Sequence, residues 1–187
     1  MPSRFQQALD YAAGLHAAQE RKGSTVPYVA HLLGVASLVL YHGGTEDEAI
    51  AALLHDAIED QGGDETRQEI RGHFGPVVAE IVEGCTDTDE VPKPPWRPRK
   101  EAYIAHVRRA SPSVRLVSAA DKLDNARSIL RDYRAVGEAV WKRFTGGREG
   151  TLWYYRALVQ AFRETGTNPL VEELAEVVSQ IEHLAGR

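Results

Sequence analysis

Apolar residues recur at helical spacing along nearly the whole chain, and this points to an all-α fold. Phe5, Leu9, Ala12, Ala13 and Leu15 make the stripe of a first helix, which Arg21-Lys22-Gly23-Ser24 ends. Pro27 sits where a helix can begin, because its missing N–H would be unpaired there anyway. A second helix runs from about Tyr28 to Tyr41 and stops at Gly43-Gly44. Thr45 reads as an N-cap with Glu48 as its capping-box partner, so a third helix spans about Glu46 to Ile58. Its middle, AIAALLHDAI, is apolar enough to predict burial. Gln61-Gly62-Gly63-Asp64 is a turn, and Gly75-Pro76 separates two shorter helices over about 66–73 and 76–83.

The segment TDTDEVPKPPWRP holds four prolines between 92 and 98, which predicts an irregular loop over 88–98. Loops of that length are often functional or mobile. A helix from about Arg99 to Ala110 stops at Ser111-Pro112. The next covers about 113–134, with Leu116, Val117, Ala120, Leu123, Ile129 and Leu130 at helical spacing. Segments 137–144, 149–164 and 169–185 complete the set, and within it Trp153 and Leu158 look like core. No internal repeat or second domain is evident, so residues 1–187 are expected to form one domain.

Composition narrows the partners. The formal net charge is −5, whereas a chain that neutralises many phosphates of a nucleic-acid polymer usually carries a basic excess. The 22 Lys and Arg residues can still cluster around a small phosphorylated ligand. Cys85 is the sole cysteine, so no intrachain disulfide forms and a reducing compartment fits. No stretch approaches the about 20 apolar residues of a membrane helix. Residues 1–20 lack the apolar core of a signal peptide. The expectation is a soluble, cytoplasmic protein.

Four polar positions interrupt segments that should be buried: His31, the adjacent His55 and Asp56, and Asp121. Each has a bland reading alone: a satisfied core histidine, a local hydrogen bond, or half of a surface ion pair beside Lys122. Together they form a mixed nitrogen and oxygen donor set, because buried carboxylates are normally paired, neutralised or bound to metal. That set suits Mn²⁺, Fe²⁺ or Zn²⁺ better than Ca²⁺. It leaves coordination positions for water or substrate, as a catalytic ion requires. Glu59 and Asp60 follow His55 and Asp56 by four residues, so on a continuous helix they share a face with them. They are candidates to position or deprotonate water, against a bland reading as a solvated helix end.

Arg21 and Lys22 could pair with phosphate or simply solvate a turn. Gly146-Gly147 could offer backbone N–H groups to an anion, with Lys142, Arg143 and Arg148 around it. The alternative for that tract is a helix corner carrying exposed cations.

The order His31, His55-Asp56, Asp121 resembles the HD-domain metal-dependent phosphohydrolases. The stretches PYVAHLLGVA (27–36), AALLHDAIED (51–60), FGPVVAEIVEGCTD (74–87) and AADKLDNARSI (119–129) resemble one branch more closely, the guanosine tetraphosphate (alarmone) hydrolases of the Rel/Spo type and their small relatives. The resemblance covers about residues 5–130. It implies a compact multi-helix HD-domain bundle with one metal site in the core, holding Mn²⁺, with Fe²⁺, Zn²⁺ and Mg²⁺ as alternatives. It implies that His31, His55, Asp56 and Asp121 are the ligands and that Glu59 and Asp60 are the catalytic pair. It also implies that Arg21, Lys22, Asn125 and Tyr154 (or Tyr155) contact substrate, with Lys122 and Arg127 as weaker candidates. Gln61 stands where that branch usually has threonine. The implied reaction is removal of the 3′-pyrophosphate from guanosine alarmones. The alternatives are hydrolysis of another nucleotide or phosphorylated metabolite, a catalytically silent nucleotide-binding module, and a purely structural helical scaffold.

Overall fold

The structure is a computed structural model that describes residues 3–88, 90 and 92–186. Its elements are α1 (Ser3–Leu15), α2 (Val29–Tyr41), α3 (Glu46–Leu54), α4 (Ala57–Gln61), α5 (Asp64–Phe74), α6 (Pro76–Cys85), α7 (Trp96–Val107), α8 (Pro112–Val136), a 3₁₀ helix (Gly137–Arg143), α9 (Gly147–Glu164) and α10 (Pro169–Ala185). Among the described residues the only extended pairing is an isolated antiparallel bridge between Glu20 and Pro27. The fold is all-α. The chain divides into two compact units, Met1–Lys93 with Ala110–Asp121, and Pro94–Arg109 with Lys122–Arg187.

The first unit is organised around α3. Its residues Ala49 to Leu54 are all buried, and it packs against α1, α2 and α6. Ala8 and Ala12 of α1, Leu32, Val35 and Val39 of α2, and Val78 and Val82 of α6 are fully buried as well. Each such leucine, isoleucine or valine contributes about 1.5–3 kcal/mol over leaving it in water. The start of α3 is set by the capping box the sequence predicts. Thr45 Oγ1 accepts from the Glu48 N–H, and Glu48 Oε2 accepts from the Thr45 N–H at 2.7 Å.

The third helix does not run unbroken to Ile58. It stops at Leu54, and α4 begins after Asp56, whose ψ of −2° departs from regular helix. The physical reason is directional. Neighbouring side chains on a regular helix leave the backbone about 100° apart, which splays His55 from Asp56. A break at that dipeptide lets them converge.

In the second unit α9 packs against α7 and α10. Helix α7 starts at Trp96, not near Arg99. Pro98 then lies in the first turn, where a proline's missing N–H leaves no bond unmade. Trp96 packs on the backbone of Gly146 and Gly150, where a Cβ on Gly146 would come within 2.6 Å of the indole. Leu158 is core, as expected. Trp153 is half-buried where core was expected, and the Arg97 guanidinium lies over its ring at 3.3 Å. Asp89 and Val91 of the proline-rich segment lie outside the described residues. Among the described residues no helix is long and apolar enough to cross a membrane.

Candidate metal centre

The first unit brings His31, His55, Asp56 and Asp121 together. His31 comes from α2, His55 and Asp56 from the break between α3 and α4, and Asp121 from α8. Both histidine side chains are essentially inaccessible, and Asp121 is nearly so. His55 Nε2 lies 3.0 Å from Asp56 Oδ2 and 3.5 Å from Asp121 Oδ1. His31 Nε2 lies 3.2 Å from Asp121 Oδ1 and 3.7 Å from Asp56 Oδ2.

These separations test whether the residues fit a metal. Two donors bound at about 2.1 Å to one ion, at ordinary coordination angles, lie about 3.0–3.4 Å apart. The observed spacings begin in that range and exceed it by at most 0.3 Å, from 3.0 to 3.7 Å. Ligand atoms of His31, His55 and Asp56 all fall within 4.8 Å of one another. The tautomer of His55 also fits. Its Nδ1 is 2.8 Å from the Ala52 carbonyl oxygen, which can only accept, so Nδ1 carries the proton and Nε2 is left for a ligand.

The His55 imidazole and the Asp56 carboxylate each shift the other's ionisation. Burial alone would lower the His55 pKa, yet the Asp56 and Asp121 carboxylates hold it well above the usual imidazole range. Burial alone would raise the Asp56 pKa, but the His55 and His31 imidazoles hold it well below the usual carboxylate range, against the opposing charge of Asp121. A divalent ion offsets the same carboxylate charge as the imidazolium proton.

Tyr28 completes the setting of Asp56. Its hydroxyl donates to Asp56 Oδ2 at 2.5 Å. Burial, and then the Asp56 charge, push its pKa far above the ordinary phenol value, so it remains a donor.

The two acids of α4 go to different partners. Glu59 Oε1 is ion-paired to Lys93 Nζ at 2.8 Å, and its other oxygen accepts from the Asp87 N–H at 3.4 Å. Asp60 is exposed, and its Oδ2 accepts from Gln19 Nε2 at 2.9 Å. The Asp60 N–H donates to the Asp56 carbonyl at 3.0 Å, so the turn that relates the two residues persists beyond the break. Arg21 lies on the loop between α1 and α2 with its guanidinium 5.7 Å from the Tyr28 ring centre, and Lys22 beside it is exposed.

The remaining candidates belong to the second unit. Asn125 is half-buried on α8, and Lys142 is exposed on the 3₁₀ helix. Arg148 donates to the Ala185 carbonyl and lies 4.0 Å from Glu138. Tyr154 is buried on α9, edge-on to Trp96, with the Lys100 ammonium 5.0 Å from its ring centre. Arg143 is paired with Asp132 at 2.7 Å and Arg127 with Glu173. The Gly147 N–H donates to the Phe144 carbonyl at 3.0 Å, and Gly146 makes room for Trp96. These two glycines thus serve local packing and turn geometry, the helix-corner reading of that tract.

Sequence reading missed four polar partners around the acids, Tyr28, Gln19, His16 and Lys93, and the contact that Gln61 makes with Gln19. His16 and Gln19 stand three apart at the end of the first helical stripe, which is the one signal available for them. The partners of Tyr28 and Gln19 across the fold lie 28 to 42 residues away in sequence, beyond any local pattern.

Comparison with known proteins places this geometry. The HD domain family model matches residues 8–152. A guanosine-3′,5′-bis(diphosphate) 3′-pyrophosphohydrolase of Xenopus tropicalis is 41% identical over 128 residues, covering 67% of this chain and 69% of the relative. The enzyme of the same name from Mus musculus is 36% identical over 172 residues, covering 86% of this chain and 93% of the relative. Among solved structures, a metazoan ortholog of SpoT described as hydrolysing ppGpp aligns with a TM-score of 0.79 at 31% identity, over 96% of this chain and 97% of the other. A Listeria monocytogenes protein aligns with a TM-score of 0.69 at 30% identity, over 84% of this chain and 99% of the other.

Proposed function

The chain belongs to the HD domain family, and we propose that it is a metal-dependent hydrolase that removes the 3′-pyrophosphate from guanosine tetraphosphate and pentaphosphate. The observation that carries this reading is the donor cluster of His31, His55, Asp56 and Asp121, in a chain that aligns with the mouse enzyme over 86% of its length. The family match over 8–152 supports treating the two units as one functional domain. The reaction would serve a starvation response, the role given to the metazoan relative.

His31, His55, Asp56 and Asp121 would hold one Mn²⁺. Such an ion supplies Lewis acidity toward a phosphoryl oxygen and makes a water nucleophilic near neutral pH. Tyr28 and the Ala52 carbonyl fix the directions of Asp56 and His55 toward that ion. Glu59 and Asp60 orient the attacking water and accept its proton. Arg21 and Lys22 offset charge on the substrate phosphates, Arg21 being suited to bidentate contact. Asn125, Lys142, Arg148 and Tyr154 are further substrate contacts in this reading.

The test is a panel of phosphorylated nucleotides offered to Mn²⁺-loaded protein, scoring pyrophosphate against orthophosphate. The expected result is pyrophosphate from guanosine tetraphosphate, abolished by His55→Ala and by Asp56→Ala. No turnover of the alarmone by metal-loaded protein, or orthophosphate from another nucleotide alone, would overturn the substrate assignment.

A further inference from the structure

Asp60 is exposed, and an exposed carboxylate on a five-residue helix would ordinarily sample several rotamers. It is instead held by a network that begins at the end of α1. Gln19 Nε2 is 2.9 Å from Asp60 Oδ2. An ionised carboxylate only accepts, so the amide nitrogen of Gln19 must face it. Gln19 Oε1 is thereby turned to two donors, Gln61 Nε2 at 2.7 Å and His16 Nδ1 at 2.6 Å. His16 is 3% exposed, and its ring stacks on Tyr28 at 5.1 Å between centres.

The backbone joins the same residues. The Tyr28 N–H donates to the Gln19 carbonyl at 2.9 Å, and the Gln19 N–H donates to the His16 carbonyl at 3.0 Å. Gln19 therefore has both its backbone and its amide orientation fixed. Through this loop one side chain, Tyr28, reaches Asp56, and the other, Gln19, reaches Asp60.

We propose that Gln19 is a positioning residue for the hydrolytic reaction: it holds the Asp60 carboxylate in the rotamer that orients water, with its own amide locked by His16 and Gln61. The inference rests on the reading of Asp60 as a water-orienting group. Misplacing a reacting group by about 1 Å can cost about 100-fold in rate, which sets the scale of the effect. Gln61 belongs to the device as well, since its amide is one of the two donors that fix which end of Gln19 faces Asp60.

The experiment compares full-length, Mn²⁺-loaded wild type, Gln19→Leu, Gln19→Glu, Asp60→Asn and the Gln19→Leu/Asp60→Asn double variant on guanosine tetraphosphate. Gln19→Glu keeps an oxygen for His16 and Gln61 but loses the N–H and sets a like charge against Asp60. It carries the test should the leucine variant misfold. The expected result is a kcat about 10- to 100-fold lower for both Gln19 variants, with KM within about twofold of wild type and metal content unchanged. The double variant should be no slower than Asp60→Asn alone, because the glutamine acts only through the aspartate.

Gln19 variants with wild-type kcat beside a slow Asp60→Asn would overturn the proposal. So would losses that multiply in the double variant, or a fall in metal content that accounts for the loss. An Asp60→Asn variant with wild-type kcat would instead sink the role given to Asp60, and the inference with it. An inactive wild type would sink the substrate reading.

Discussion

Asp56 has to serve two purposes that pull against each other: it must stay ionised where burial penalises charge, and it must point at one place. The first is met by the two imidazoles, which hold its pKa below the usual range against desolvation. The second is met by Tyr28, whose hydroxyl reaches it across 28 residues of sequence. Outer partners of this kind typically account for about 10- to 100-fold in metal affinity. Tyr28→Phe, which keeps the ring stacked on His16, should therefore weaken Mn²⁺ binding by about 10- to 100-fold in a chelator competition. Unchanged affinity would show that Asp56 needs no such support. The cluster of His31, His55, Asp56 and Asp121 was legible because polar groups inside apolar helices are conspicuous. Tyr28 and Gln19 were not, because nothing local marks a tyrosine at a helix start or a glutamine in a turn as bound for a distant carboxylate.

At the scale of elements, α3 shows which features a sequence carries openly. Its N-terminus is written in Thr45 and Glu48, and the structure has both hydrogen bonds of the box. Its C-terminus was hidden, since AIAALLHDAI reads as unbroken helix, yet α3 stops at Leu54 and α4 begins only after Asp56. The start of α7 was hidden for a related reason: four prolines argue against helix, yet one of them fits the first turn.

The cap of α3 also has a pH signature. Burial pushes the Glu48 pKa up, but the bonds from the Thr45 backbone, Ser113 and the Thr45 hydroxyl hold it below the usual carboxylate value. A depressed folded-state pKa adds stability above the unfolded-state pKa, and that stability is lost as pH falls through the folded-state value. Glu48→Gln should cost about 1 kcal/mol near neutrality, in line with losing a cap. The gap to wild type should narrow in urea unfolding as the pH is taken below the carboxylate range. A gap independent of pH would mean that the charge on Glu48 contributes nothing to the cap.

The whole molecule is an all-α HD domain protein, and that level was the most legible of all. Helical apolar spacing nearly from end to end points to the class, and four short stretches in order point to the family. The tail was least legible. Its cations and glycines left a phosphate site and a helix corner both open, and no local pattern marks the contacts the structure shows: Arg143 with Asp132, Arg148 with the Ala185 carbonyl, and Gly146 against Trp96. A residue's type says what it can bind; its packing within the second unit shows which contacts it makes besides.

The central claim is that four side chains of the first unit hold the ion on which alarmone hydrolysis depends. The most direct measurement is pyrophosphate release from guanosine tetraphosphate as Mn²⁺ is titrated into metal-stripped protein. Release should be absent at the start and saturate at one ion per chain, and His55→Ala should stay inactive throughout. Undiminished release from the stripped protein, or no release at any Mn²⁺ concentration, would contradict it.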